Sequence, residues 1–189
     1  MTESDDLKSA INLLKSIGDT PSFDISEFID RISAGEDWAK LIVAHIYLDH
    51  IITEVLSEHL DYPESYFNGY RSFSEKLSLC QASGYFRNEF GVLLKALNNV
   101  RNRFAHKLIF RVSDEEKINL FRLLTTERSI EEVTEPEGFA NFLFTVVMFA
   151  ESERANEKRH AEISREHEYV TGKILELLVA NKDLLGGKA

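Results

Sequence analysis

From Asp37 to Leu60 the chain contains neither glycine nor proline. Over that span Trp38, Leu41, Ile42, His45, Leu48, Asp49, Ile52, Val55 and Leu56 recur on one broad stripe. Such a period predicts a long helix, and a helix with so wide an apolar stripe has to bury it against other helices. Only three prolines occur in 189 residues, Pro21, Pro63 and Pro136, so most of the chain is free to continue in the same way. Leu7, Ile11, Leu14 and Ile17 predict a first helix that stops at Gly18. Asp24 or Ser26 can cap a short helix carrying Phe28, Ile29 and Ile32 and ending near Gly35. Asp61 to Tyr70 reads as a loop with aromatics, after which Ser72 caps a helix through Phe73, Leu77 and Cys80 that Gly84 closes. Another helix runs from about Arg87 to Phe110. Ser113 with Glu116 forms a capping-box pattern for one ending near Thr125.

An acidic connector follows from Arg128 to Gly138. Phe139 to Leu185 then reads as helical, its middle heavily charged between Glu151 and Glu168. That middle is either a solvated stretch of one helix or a break between two. No strand alternation or internal repeat is present. The fold class is therefore all-α: one domain over residues 1–189, a bundle with long central antiparallel helices. Its core spans about residues 35–185, with N-terminal helices over 7–34.

No apolar run approaches the roughly 18 residues of a membrane helix. The polar, acidic start from Met1 to Asp6 is unlike a secretory signal, and the single cysteine, Cys80, cannot form an internal disulfide or a cysteine-rich zinc site. A cytoplasmic protein without membrane contact is the expectation. The net charge of −10 excludes a general DNA-coating role, because phosphate contacts dominate such affinity. Locally the balance reverses. Between Gly91 and Val112 there is no acidic residue, while Lys95, Arg101, Arg103, Lys107 and Arg111 all fall there. A small RNA site is compatible with that concentration of positive charge.

The same segment contains Arg101-Asn102-Arg103-Phe104-Ala105-His106. At about 100° per residue Leu93, Leu97, Val100 and Phe104 share one side, read as the core stripe. Lys95, Asn98, Asn99, Asn102 and His106 are placed opposite. Asparagine is a mediocre helix former, so this polar face is not the inexpensive way to solubilise a helix. Asn102 and His106 are four residues apart and neighbours on that face. Arg101 lies about 140° around from His106. Its long side chain can curl toward the polar face or reach to a second subunit. A symmetric dimer packing this face on itself would bring two Arg/Asn/His sets into one groove. An Arg to stabilise a charged phosphorane and an imidazole to move protons suffice for phosphodiester cleavage without a metal.

Arg101 to His106 resembles the motif of the HEPN superfamily of α-helical domains, an Arg followed by a polar residue and, after a short spacer, a His. The helix from Trp38 to Leu60 with Ile46-Tyr47-Leu48-Asp49-His50 adds to this. So do Phe73-Ser74, Lys76-Leu77, Gly84 and Asn99 ahead of the motif. Together they are similar to the mannitol operon repressor-like branch, over about Gly35 to Phe110. The resemblance implies an up-and-down helical bundle that dimerises. It further implies a metal-independent endoribonuclease, as in toxin–antitoxin or antiviral systems, with Arg101, Asn102 and His106 catalytic. Lys95, Asn98, Asn99 and Arg103 would then contact RNA, no cofactor or metal would be needed, and an antitoxin or regulatory protein would be a partner. The alternative within the same superfamily is a noncatalytic regulatory or protein-interaction module, the repressor-like branch being linked to transcriptional regulation.

Other polar residues read more plainly. His45 and Asp49 share a face but with His50 are too few for a zinc centre, and a buried His45 hydrogen-bonded to Asp49 is the preferred reading. Cys80 reads as a small core residue, His160 and His167 as solvated helix surface, and Phe139, Phe142, Phe144 and Phe149 as core or dimer contacts. By charge alone, the acidic connector from Glu127 to Glu137 is placed to shield the basic groove.

Overall fold

The computed structural model describes residues 21–107, 110–124, 133–135 and 137–180. The helix expected over Leu7 to Ile17 and most of the acidic connector lie outside the described residues. Among the described residues all regular structure is helical. Helix α1 (Ile25–Ser33) begins where the Asp24 carboxylate accepts from the backbone N–H groups of Ser26 and Glu27, and buries Ile25, Phe28 and Ile32. Gly35, at φ +81°, turns the chain into α2 (Asp37–His59). A single turn, α3 (Pro63–Tyr66), precedes α4 (Phe73–Ala82). There Ser72 and Glu75 form a complete capping box, and Gly84 follows at φ +78°. Helix α5 (Asn88–Lys107) carries the motif. Helix α6 (Asp114–Leu124) starts at the Ser113/Glu116 box that the spacing predicts. The last, α7 (Gly138–Ala180), is one continuous helix, which resolves the question of a break in its charged middle.

Helix α2 is the centre of the bundle. It touches α1, α3, α4, α5 and α7, and Leu41, Ala44, Leu48, Ile51, Ile52, Val55 and Leu56 are buried. Side-chain contacts give the directions. His45 meets Asn98 and His59 meets Tyr85, so α2 and α5 are antiparallel as expected. Phe73 meets His45 and Cys80 Sγ reaches the Ile52 carbonyl, so α4 runs the same way as α2. Asp37 reaches Lys117, which lies over the Phe139 ring, while Glu58 meets Arg154; α7 therefore also runs the same way as α2. This departs from a plain up-and-down order. The physical reason is that residues 60–72 carry the chain back along α2 before α4 begins.

The C-terminal end of α2 is joined by charge to the first half of α7. Glu151 is fully buried; it accepts from Arg154 Nε and Nη2 at 3.1 and 2.9 Å and from the Ser22 backbone N–H at 2.7 Å. Arg154, only 2% exposed, also donates to Glu58 Oε1 at 2.6 Å. Burial opposes the guanidinium charge, but Glu151 and Glu58 outweigh it and hold the group above its ordinary range. Further along, the surface of α7 opens to solvent: Arg159, His160 and residues 162–173 are exposed. Among the described residues no helix is long and apolar enough to cross a membrane.

Replacing Arg154 by Ala strands the buried Glu151 carboxylate. The expected cost is about 3–5 kcal/mol in urea unfolding. A loss below about 1 kcal/mol, the scale of a surface pair, would contradict a desolvated cluster.

Candidate functional site

The motif helix presents its residues differently from the simple stripe. Phe90, Leu93, Leu94, Leu97 and Phe104 are all buried, whereas Val100 is only half-buried. Including Phe90 and Leu94 moves the centre of the core face by about 30° toward Asn98 and Arg101. Asn98, expected on the exposed face, is in consequence 4% exposed. Arg101 sits within about 40° of the core centre and His106 almost directly opposite it. Lys95, Asn99 and His106 are exposed, as their placement on the outer face requires.

Asn98 spends both ends of its amide. Its Oδ1 lies 2.9 Å from His45 Nε2, and its Nδ2 donates to Ser74 Oγ at 3.1 Å. One side chain thus ties α5 to both α2 and α4. His45, buried, also lies with its ring centroid 4.4 Å from that of Phe73. The preferred partner from sequence, Asp49, instead pairs with Lys76 Nζ at 2.7 Å, and Lys76 also donates to Thr53. Burial pushes the His45 imidazole below its ordinary 6.5; the Asn98 hydrogen bond opposes this, and the Arg101 charge adds to it.

Over this polar bridge lies a cleft of about 250 Å³, lined by residues of α2, of the turn before α4, and of α5. Arg101 and Asn102 both line it, with Arg101 Nη1 donating to Asn102 Oδ1 at 3.2 Å. Tyr70 and Arg71 enter from the turn just ahead of the Ser72 cap. His106 is outside this lining. Arg103 is paired with Glu116 of α6, so its guanidinium is already engaged. The structure therefore gathers Arg101, Asn102 and Asn98 at one cleft and leaves Lys95, Asn99 and His106 on the adjoining open face.

No protein-family model, curated protein or solved structure matches this chain. The functional reading rests on the residues themselves.

Tyr70, Arg71 and Ser74 join the cleft lining without belonging to the motif that marks the site in the sequence. The available signal was an aromatic–arginine pair between Gly69 and a helix cap, where a side chain projects without packing obligations. Elsewhere the plain readings fit the geometry. Cys80 is buried, and burial pushes its thiol up to about 12, which makes it an inert core residue. Among the described residues no three metal-ligating side chains cluster. Phe139 and Phe142 are core, and Phe144 and Phe149 pack against it.

The His45 shift has a definite sign in stability. Its folded pKa is depressed, so the unfolded chain takes up the proton first, and stability is lost as pH falls below about 6.5 toward the lowered folded value. Urea midpoints measured from pH 7.5 downward should drop with a component of up to about 1.4 kcal/mol per pH unit that His45→Gln lacks. Identical pH profiles for wild type and variant would refute a neutral, buried His45.

Proposed function

We propose that the protein is a HEPN-type, metal-independent endoribonuclease that acts at a groove between two copies of the chain, as in toxin–antitoxin or antiviral defence. One observation supports this most: Arg101 and Asn102 sit together in a polar cleft while His106 stands on the open face next to it. A cation held in a concave site and a histidine free to meet a second chain are the parts such a site requires.

In this scheme a ribose 2′-hydroxyl attacks the adjacent phosphorus and the 5′-oxygen leaves, giving a 2′,3′-cyclic phosphate and a 5′-hydroxyl. Arg101 stabilises the charge that builds on the phosphorane oxygens, and Asn102, bonded to Arg101, orients the phosphate. His106 moves a proton through its imidazole. Because Arg101 and His106 point about 140° apart on one helix, the groove is completed by the second copy, each Arg101 working with the other chain's His106.

A second reading is favoured by a separate observation. The projecting part of α7 exposes Ile163, Tyr169 and Val170, a surface suited to another protein. A noncatalytic regulatory module would use that surface and leave RNA intact.

The deciding assay is cleavage of single-stranded RNA in EDTA. Wild type should cut and leave cyclic phosphate ends, while Arg101→Ala and His106→Ala should each fall by a factor of about 100 or more. Undiminished cutting by either variant, or loss of wild-type activity in EDTA, would rule the scheme out. Growth on overexpression separates the two readings, since the nuclease is toxic and His106→Ala is not, whereas the regulatory module is harmless in both forms.

A further inference from the structure

We infer that the cleft over the His45–Asn98–Ser74 bridge is a binding site for one nucleotide unit of single-stranded RNA, with its phosphate between Arg71 and Arg101, its 2′-hydroxyl at His45 and its base on Tyr70. The inference rests on the reading of Arg101 as a phosphate ligand and adds the substrate's orientation.

Arginine pairing makes the first part of the case. In this acidic protein Arg31 pairs with Glu27, Arg87 with Glu153, Arg103 with Glu116 and Arg154 with Glu151 and Glu58. Arg71 and Arg101 have no carboxylate within ion-pair distance among the described residues, nor have Arg111, Arg122, Arg159 and Arg165, but these two line the same cleft, Arg71 with its guanidinium over the Tyr66 ring and donating to the Tyr70 carbonyl at 3.4 Å. The acid at the cleft, Asp49, is already neutralised by Lys76. Two guanidiniums left without anions at one concavity fit a phosphate, which each can bind through paired N–H groups.

Size makes the second. A cleft of about 250 Å³ is smaller than the roughly 300–1,000 Å³ of pockets that engulf a whole small molecule. It accommodates a phosphate and part of a sugar and leaves a base outside. At the rim stands Tyr70, 87% exposed, an aromatic face with no packing role that would otherwise account for it. Bases of single strands stack on such rings whatever their sequence.

The third part is the state of His45. The Asn98 oxygen faces Nε2, so Nε2 carries the ring proton and donates. Nδ1 is then the remaining hydrogen-bonding atom of the ring, and it is an acceptor. Burial keeps the ring neutral and the acceptor available. A ribose 2′-hydroxyl is a donor that DNA lacks. His45 thus supplies the means of telling RNA from DNA, and with its Nδ1 taking the proton of the attacking hydroxyl, His106 is left to protonate the departing 5′-oxygen.

The test uses the full-length chain carrying His106→Ala, so that the probe is not consumed. A fluorescent single-stranded RNA and the DNA of the same sequence are titrated in parallel. RNA should bind more tightly than DNA. Adding Arg71→Ala or Tyr70→Ala should each weaken both ligands by roughly tenfold, whereas His45→Gln should remove the preference for RNA and leave DNA affinity unchanged. Tyr70 is too exposed for its loss to disturb folding, so unchanged binding in Tyr70→Ala and Arg71→Ala overturns the cleft even if wild type cuts RNA. A retained RNA preference in a folded His45→Gln overturns the role given to His45. Conversely, cleft-dependent binding by a wild type that never cuts RNA keeps the site and removes the nuclease.

Discussion

The amide of Asn98 holds the site together. Its oxygen meets His45 on α2 in a buried hydrogen bond and its nitrogen meets Ser74 on α4 at the edge of the solvent, so three helices are tied to one another through one side chain. Buried polar groups are worth little when paired and cost about 1–3 kcal/mol when left unpaired, so the register of α5 against α2 and α4 admits little slippage. That register places Arg101, one turn beyond Leu97, over the same gap between helices. The cleft exists because polar groups take up this gap where the apolar core ends. Asn98 is therefore a support for the site, while Arg101, Asn102, Tyr70 and Arg71 are groups that line the cleft.

Charge distribution reconciles a net charge of −10 with the polyanion site proposed for the cleft. Among the described residues Arg31, Arg87, Arg103 and Arg154 are held by carboxylates, two of them locking elements in place: Arg154 joins α2 to α7 and Arg103 joins α5 to α6. Arg71 and Arg101 are the exceptions at the cleft. Over a Debye length of about 8 Å at physiological salt, such a local surplus is felt by a phosphate at contact while the distant negative surface is largely screened. The general negative charge then discourages duplex coating without forbidding a small site.

The legible parts of the fold were those set by local chemistry. Asp24, Ser72 and Ser113 mark helix starts because a side chain satisfies a backbone N–H a few residues on, and each does so in the structure. The stripe from Trp38 to Leu56 likewise gave α2 its length and its central position. What was not legible depends on packing between distant segments. A stripe of Leu93, Leu97, Val100 and Phe104 alone puts Asn98 outward, and burial of Phe90 and Leu94 turns the core face by a small angle that reverses the fate of a residue at its edge. His45 was matched with Asp49, its neighbour along the helix, whereas α4 supplies Asp49 with Lys76 and α5 supplies His45 with Asn98. The same-direction run of α2 and α4 follows from how residues 60–72 return, which no periodicity encodes.

The proposed nuclease requires Arg101 and His106 to serve one site from different chains, since the helix that carries them aims one toward the bundle and the other away. Mixing the two inactive proteins, Arg101→Ala and His106→Ala, after unfolding and refolding together tests this directly. In a mixed dimer one site loses both groups and the other keeps both, so random pairing should restore about a quarter of wild-type RNA cleavage. No recovery, with mixed dimers demonstrated and wild type active, would contradict a site shared across two chains.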